Sequence, residues 1–433
     1  MNRWWPVRGL AVSLALLVTS CTTQAGGGPD GAGARPQSPL PGSSRPADRL
    51  PVGVSFDQSV RRLADGSPVR VGVLTVAQGA DADVEAGHGG AVATTATVRE
   101  LARRAGAAAA VNGTYFDTDS PLYKGDPLGL YVSRGALLSE SVGERTTLVL
   151  PGQGLRPYIT ELRSSTSVTS SDGASAVVDG TDRTPGRILG CGGVGGDRLA
   201  STGAKTVAPL PGQVCVDPDE IVDFPAQWGV ATPAAGPGSV EVRLDARSVV
   251  TGVQSPSGGR VPPAGRTLVG TGTGAAWLRR HATPGRTLTV ASRLTDAEGR
   301  QVDLAHASLL GAGPALVRSG RAWINTTANG VSAAAARTRS PRTVAGIRPD
   351  GTLLLVVLDG RRPGVSEGAS LAEAAAILLS LGAEDAMNLD GGGSSTMVVL
   401  DRVRNSPTDH GRTADARQRK VSNAIVVVPR RDR

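Results

Sequence analysis

Residues 370–400 read SLAEAAAILLSLGAEDAMNLDGGGSSTMVVL. Ser370-Leu371-Ala372-Glu373 is a capping box, in which a hydroxyl and a carboxylate satisfy each other's backbone N–H groups at a helix start. The apolar run to Leu381 predicts a helix, and Gly382 ends it. Ala383 to Met387 predicts a short buried strand. The polar tip Asn388-Leu389-Asp390-Gly391-Gly392-Gly393-Ser394-Ser395-Thr396 comes next, before a further strand from Met397 to Leu400. Three consecutive glycines permit positive φ and close approach of a ligand to the backbone, and successive N–H groups in such a turn form a concave nest for an anion. A rigid apolar frame thus presents a carboxylate, an amide and three hydroxyls.

The same arrangement occurs once more upstream. Thr97-Val98-Arg99-Glu100 caps a helix that stops at Gly106, and Ala107 to Val111 leads to Asn112-Gly113-Thr114-Tyr115-Phe116. Gly106-Ala107-x-x-Ala110-Val111-Asn112 matches Gly382-Ala383-x-x-Ala386-Met387-Asn388 in spacing. Two helix–strand units would each deliver an asparagine to one cleft. Thr352 to Leu358 is a continuous apolar run of strand length, the mark of a strand buried on both faces. Around these lie strands at Val69–Val76, Thr146–Leu150, Ser239–Leu244, Arg286–Leu294 and Ala424–Val428, and a hairpin at 128–138. The expected fold is α+β, with a mixed central β-sheet flanked by helices and a β-rich middle segment. Residues 151–235, rich in Ser, Thr, Gly and Asp, predict an insertion of loops and short strands.

The N-terminus has the marks of an export signal. Arg3 and Arg8 precede a short apolar segment, Gly9 to Val18, and Val18-Thr19-Ser20-Cys21 has the form of a bacterial lipobox. Residues 1–20 are therefore expected to be a signal peptide and Cys21 a lipidation site. Residues 21–50 form a Gly/Pro/Ser tether that cannot bury apolar surface, and 54–430 are expected to be the globular domain. This predicts a lipoprotein on the extracellular side of a bacterial cell membrane or in its wall. With Cys21 lipidated, Cys191 and Cys215 remain, an even number in an oxidising compartment, and a disulfide is expected between them. Two cysteines without nearby histidines do not suggest a metal site, and no cofactor is expected. The 433 residues carry a net charge of +8 but only three lysines, at 124, 205 and 420. No lysine-rich run or aromatic-interleaved basic stripe occurs, so nucleic acid is not an expected partner.

Five motifs in order carry a resemblance. They are Asn112-Gly113-Thr114-Tyr115-Phe116, Gly311-Ala312-Gly313-Pro314, Pro341-Arg342-Thr343-Val344-Ala345-Gly346, Asp359-Gly360-Arg361 with Ser366-Glu367-Gly368, and the 388–396 loop. Together they resemble the phosphodiester glycosidase family over about residues 90–428. Thr114-Tyr115 departs from the Gly-Phe expected there. The resemblance implies hydrolysis of a sugar joined through its anomeric carbon to a phosphodiester, in a glycan or a cell-envelope polymer.

On that basis Arg342 and Arg361 would clamp the phosphate with charge-assisted hydrogen bonds, and the N–H groups of Gly391, Gly392 and Gly393 with the hydroxyls of Ser394 and Ser395 would complete the anion site. Asn112, Thr343 and Asn388 join the expected substrate-binding set. Glycosidases place carboxylates about the anomeric carbon. Asp390 is the first candidate for nucleophile or base, and Asp359 and Glu367 compete for the second position. Two other readings fit the same sequence: a non-catalytic envelope lipoprotein that binds glycan or phosphate, and a glycosidase acting on ordinary glycosidic bonds.

Overall fold

The computed structural model describes residues 48–120, 122–206, 208–409 and 418–430. The expected signal peptide, Cys21 and most of the tether lie outside the described residues.

The apolar run 352–358 forms the strand Leu353–Leu358, third in a seven-stranded sheet. Its order is Val54–Arg62, Pro68–Val76, Leu353–Leu358, Arg342–Ile347, Asp385–Asn388, Ala315–Arg318 and Arg321–Ala322. Alternation sends Leu353, Leu355 and Val357 to one face, where they pack with Ile425, Met397 and Tyr131. Leu354, Val356 and Leu358 face the other way, onto Leu371, Ala374 and Leu378 of the helix Leu371–Ser380. A strand covered on both faces has no polar side to present, which is why its sequence is apolar throughout.

A second sheet orders Arg402–Val403, Met397–Val399, Ala109–Asn112, Asn423–Pro429 and Ala82–His88. The helix Val98–Ala105 covers its outer face through Val98, Leu101 and Ala102. Both expected capping boxes form, Thr97 with Glu100 and Ser370 with Glu373, and Gly106 ends the first helix in the left-handed region at φ 66°. The two helix–strand units of matching spacing are therefore present in the fold.

The expected α+β class is corrected. Strand makes up about 40% of the structure and helix 12%, and the longest α-helices among the described residues have ten residues. The central sheet is not mixed, because each of its pairings is antiparallel. The molecule is a β protein of several sheets. In these two sheets adjacent strands all run antiparallel, and the helices Leu371–Ser380 and Val98–Ala105 each carry the chain over one strand, Arg342–Ile347 or Asn423–Pro429, to the strand beyond it while covering one sheet face.

The stretch 151–235 also departs from expectation, because it contains the 13-residue strand Tyr158–Ser170. Its inward positions Ser164, Thr166 and Ser170 are hydroxylic and interrupt the apolar Leu162 and Val168, so apolar alternation is faint in the sequence. Ser164 bonds Ser141, and Thr166 bonds Ser292 at 2.9 Å, which makes burial of these hydroxyls tolerable. Cys191 and Cys215 form the disulfide, with Cα atoms 5.1 Å apart. It ties a loop to the small three-stranded sheet Ile188–Leu189, Val214–Val216, Arg198–Leu199.

Candidate active site

Strand ends from both large sheets converge on the 388–396 loop. Asp390 N–H donates to the Gly113 carbonyl at 3.0 Å, Leu389 N–H to Thr343, and Gly392 N–H to Pro341. Gly392 occupies the left-handed region at φ 61°, and it opens the short 3-10 turn Gly392–Ser394. Asn112 is the tie between the sheets. Its amide N–H donates to the Asp390 carbonyl at 2.6 Å, while its Oδ1 accepts from Thr343 Oγ1 at 2.7 Å and from Thr396 N–H at 3.0 Å. Asn112 and Thr343 are fully buried.

Beside this loop opens a cleft of about 660 Å³. Its floor includes Asp390, Gly391, Gly392, Asn388 and Tyr115, and its cations are Arg145, Arg342 and Arg361. The disulfide-tied loop supplies one wall, with Gly190, Leu210 and Val214, and residues 330–338 supply another. That loop is fastened in several places: Gly143 N–H donates to Gly192 O at 2.7 Å, Leu210 N–H to Gly190 O at 2.6 Å, and Arg187 pairs with Asp117 at 3.0 Å.

Desolvation pushes the Asp390 carboxyl up to about 7, against a weaker pull from the Ser394 hydroxyl, the Arg419 charge and the Gly391 N–H. The Tyr115 phenol is raised to about 12, first by burial and then by the Asp390 charge, with Arg342 and Arg145 opposing. One ring therefore senses the carboxylate and two of the cations together. Its hydroxyl donates to Gly313 O at 2.9 Å and accepts from Asn388 Nδ2 at 3.0 Å. Asn388 Oδ1 is buried beside it with no partner.

The arginines differ from one another. Arg342 donates to the carbonyls of Ala369, Ala335 and Thr338, and burial lowers its pKa, helped by the like charge of Arg361. Arg361 is exposed at the mouth and reaches Thr408 O at 3.4 Å. Arg145 is 6% exposed, and its Nε and Nη1 have no hydrogen-bond partner. None of the three makes an ion pair with any described carboxylate.

The expected second carboxylates lie elsewhere. Asp359 does not line the cleft; its Oδ1 accepts from Asn405 Nδ2 at 3.1 Å and Ser406 N–H at 2.9 Å. Glu367 accepts from Gly364 N–H at 2.8 Å in its own turn and is likewise off the cleft. Gly393, Ser394 and Ser395 stand behind the floor, and the N–H groups of Gly392, Ser394 and Ser395 are used on Pro341, Gly391 and Gly392 carbonyls. The loop thus offers fewer free donors than an open anion nest would. Among the described residues, no group of three or more His, Cys, Asp or Glu side chains is disposed to hold a metal ion.

Sequence reasoning passed over Arg145 and Asn423, and marked Tyr115 only as a departure within a motif. Asn423 holds the Asn112 turn, accepting from Thr114 N–H at 2.9 Å and donating to Thr114 Oγ1 at 2.7 Å. Arg145 stands alone at the head of a strand, with no local pattern to mark it.

Residues 238–428 match the family model described as phosphodiester glycosidase. A Burkholderia pseudomallei crystal structure, described as a candidate exported protein, is 30% identical and superposes with a TM-score of 0.72, covering 84% of this chain and 75% of that one. A hypothetical protein from Synechocystis is 23% identical with a TM-score of 0.66, covering 88% of this chain and 64% of that one. The zebrafish N-acetylglucosamine-1-phosphodiester α-N-acetylglucosaminidase catalytic domain, auto-inhibited by its pro-peptide, is 16% identical with a TM-score of 0.43, covering 89% and 86%. No curated protein matches the chain.

Proposed function

The chain belongs to the phosphodiester glycosidase family, and from that premise we propose that it is an exported hydrolase that cleaves the bond between an anomeric carbon and a phosphodiester oxygen in a glycan or envelope polymer. One observation carries the reading: a carboxyl with a pKa of about 7 shares a cleft with three arginines that pair with no carboxylate among the described residues. Such a pocket is short of negative charge, and a phosphodiester supplies it.

Asp390 acts at the anomeric carbon. As a base it takes a proton from the attacking water; as a nucleophile it bonds to the carbon and is later released by water. In either route the electron pair of the C1–O bond leaves with the bridging oxygen. The leaving group is a phosphate monoester, stable as an anion, so a strong general acid is dispensable, in keeping with a cleft in which neither Asp359 nor Glu367 takes part. Asn388 lines the floor on which the sugar rests, and Arg342 and Arg361 orient the phosphate. Gly391 and Gly392 let the substrate approach the floor, while Asn112, Thr343, Ser394 and Ser395 hold the loop in place.

Export is supported by the signal-like N-terminus, by the disulfide and by the description of the Burkholderia relative. Anchoring through Cys21 completes this proposal, and Cys21→Ser is expected to release the protein from membranes.

The test is product analysis. Sugar-1-phosphodiesters incubated with the protein are expected to yield free sugar and a phosphate monoester, and Asp390→Asn is expected to abolish this. Release of sugar phosphate, or equal turnover of uncharged glycosides, would sink the proposal. Inversion at the anomeric carbon assigns Asp390 as base, and retention assigns it as nucleophile.

A further inference from the structure

Arg145 is the least explained charge in the cleft. It sits at the head of the strand Thr146–Leu150, is 94% buried, and lines the cavity beside Asn388 and Asp390. Burial lowers its pKa, opposed by the nearby Tyr115 phenol. A guanidinium carries five N–H donors and no acceptor. Here Nε and Nη1 are both sealed from water and have no partner among the described residues. Removing a cation from water without a counter-charge is costly unless something else in the functional state repays it.

The surroundings are built to seal this group in. A Cβ at Gly190, next to the disulfide, would lie 2.9 Å from Nη2, and one at Gly330 on the opposite wall would lie 3.4 Å from it. Both glycines have positive φ, at 74° and 63°. Two walls therefore close on the guanidinium because neither carries a side chain there. Arg342 has spent donors on three carbonyls and Arg361 is open to solvent. Arg145 alone combines desolvation with free donors, the condition under which an ion contact is strongest.

We propose that Arg145 is the receptor for the phosphate, meeting the leaving group with the Nη2 corner of its guanidinium, which stands between Gly190 and Gly330 of the cleft walls. The inference rests on the hydrolase reading above and assigns a further catalytic residue to it. In the diester the phosphate carries one negative charge. When the C1–O pair departs with the bridging oxygen, the phosphate monoester carries two, while hydroxide from water, or the Asp390 carboxylate, takes the anomeric carbon. Arg145 transfers no proton. It donates hydrogen bonds that strengthen as that second charge grows, so it favours the transition state over the bound substrate.

The experiment uses the whole exported chain and two probes. Inorganic phosphate is titrated calorimetrically into wild type, Arg145→Gln and Arg145→Lys, and tungstate is soaked into wild-type crystals to locate the anion. Arg145→Gln is expected to weaken phosphate binding at least tenfold and to lower kcat by about 100-fold or more, the scale for loss of one oxyanion donor. Arg145→Lys is expected to recover part of the binding, with kcat lagging because the fork geometry is lost. Tungstate against the Arg145 guanidinium supports the assignment even if the glutamine variant fails to fold. Unchanged phosphate binding in Arg145→Gln, or tungstate seated only on Arg342 or Arg361, overturns it. Phosphate held by Arg145 with no turnover of any sugar phosphodiester would keep the anion receptor and refute the hydrolase reading. Turnover unaffected by Arg145→Gln would do the reverse.

Discussion

Asn112 Nδ2 lies 2.6 Å from the Asp390 carbonyl, so the candidate reacting carboxylate is held by an amide 278 residues away in the chain. The same side chain accepts from Thr343 Oγ1 and Thr396 N–H, so all the polar atoms of one amide head are committed. Removing a buried partner leaves others unsatisfied, at about 1–3 kcal/mol each. Asn112→Ala is expected to lower stability by about 3 kcal/mol in denaturant titration and to disorder the loop. Asn112→Asp keeps the shape but cannot donate to Asp390 when ionised; its kcat is expected to fall while KM changes less.

The raised Asp390 pKa makes two linked predictions. As base or nucleophile the group works ionised, so kcat/KM is expected to rise with pH through about 7. Stability runs the other way. A carboxyl whose folded pKa lies above its ordinary 3.8 has its full favourable share only below that value, and loses it as pH rises through about 7. Asp390→Asn removes a penalty of up to about 4 kcal/mol at pH 8. Its melting temperature is expected to exceed wild type there and to converge with it near pH 4. Glu367→Gln serves as the control, with activity expected within about threefold of wild type, since surface changes away from special contacts have small effects.

Tyr115 connects two of the five motifs through its hydroxyl, which bonds Gly313 O and Asn388 Nδ2. Phenylalanine preserves the ring and deletes both bonds. Tyr115→Phe is expected to cost about 1–2 kcal/mol of stability. It also frees the Asn388 amide to turn, so KM for the sugar is expected to rise more than kcat falls. Equal KM values for the two proteins would show that the hydroxyl has no part in positioning Asn388.

The disulfide acts on the cleft as well as on stability. It fixes the loop whose Gly190, Leu210 and Val214 form a wall. Closing a loop of this length contributes about 3 kcal/mol through the unfolded chain. The double variant Cys191→Ser with Cys215→Ser is expected to lower the melting temperature and to speed proteolysis within 190–214. Product phosphate is expected to bind it more weakly, because water then reaches Arg145.

Much of the frame was legible from local pattern. The capping boxes at Thr97 and Ser370, the glycine stop at 106 and the two-faced strand Leu353–Leu358 each follow from interactions within a few residues or from a period of two. The predominance of β-structure was not legible, because capped helices leave strong local signals and many short strands leave little trace. The strand Tyr158–Ser170 hid for a different reason. Hydroxyls at Ser164, Thr166 and Ser170 interrupt its inward apolar residues, and partners elsewhere in the chain make their burial acceptable.

The site divides along the same line. By itself the sequence determined that 388–396 would be a polar tip on a rigid frame, because glycines, a carboxylate and flanking apolar runs are local facts. It also marked Asn112 and Arg342 for the same neighbourhood. Only the tertiary structure decided that Asp390 is desolvated, that Asp359 holds the 405–406 segment and Glu367 its own turn, and that a solitary arginine at 145 lies largely buried in the cleft with unpaired donors. Charge state and desolvation depend on what folds over a group from elsewhere in the chain, and no local window of sequence contains that.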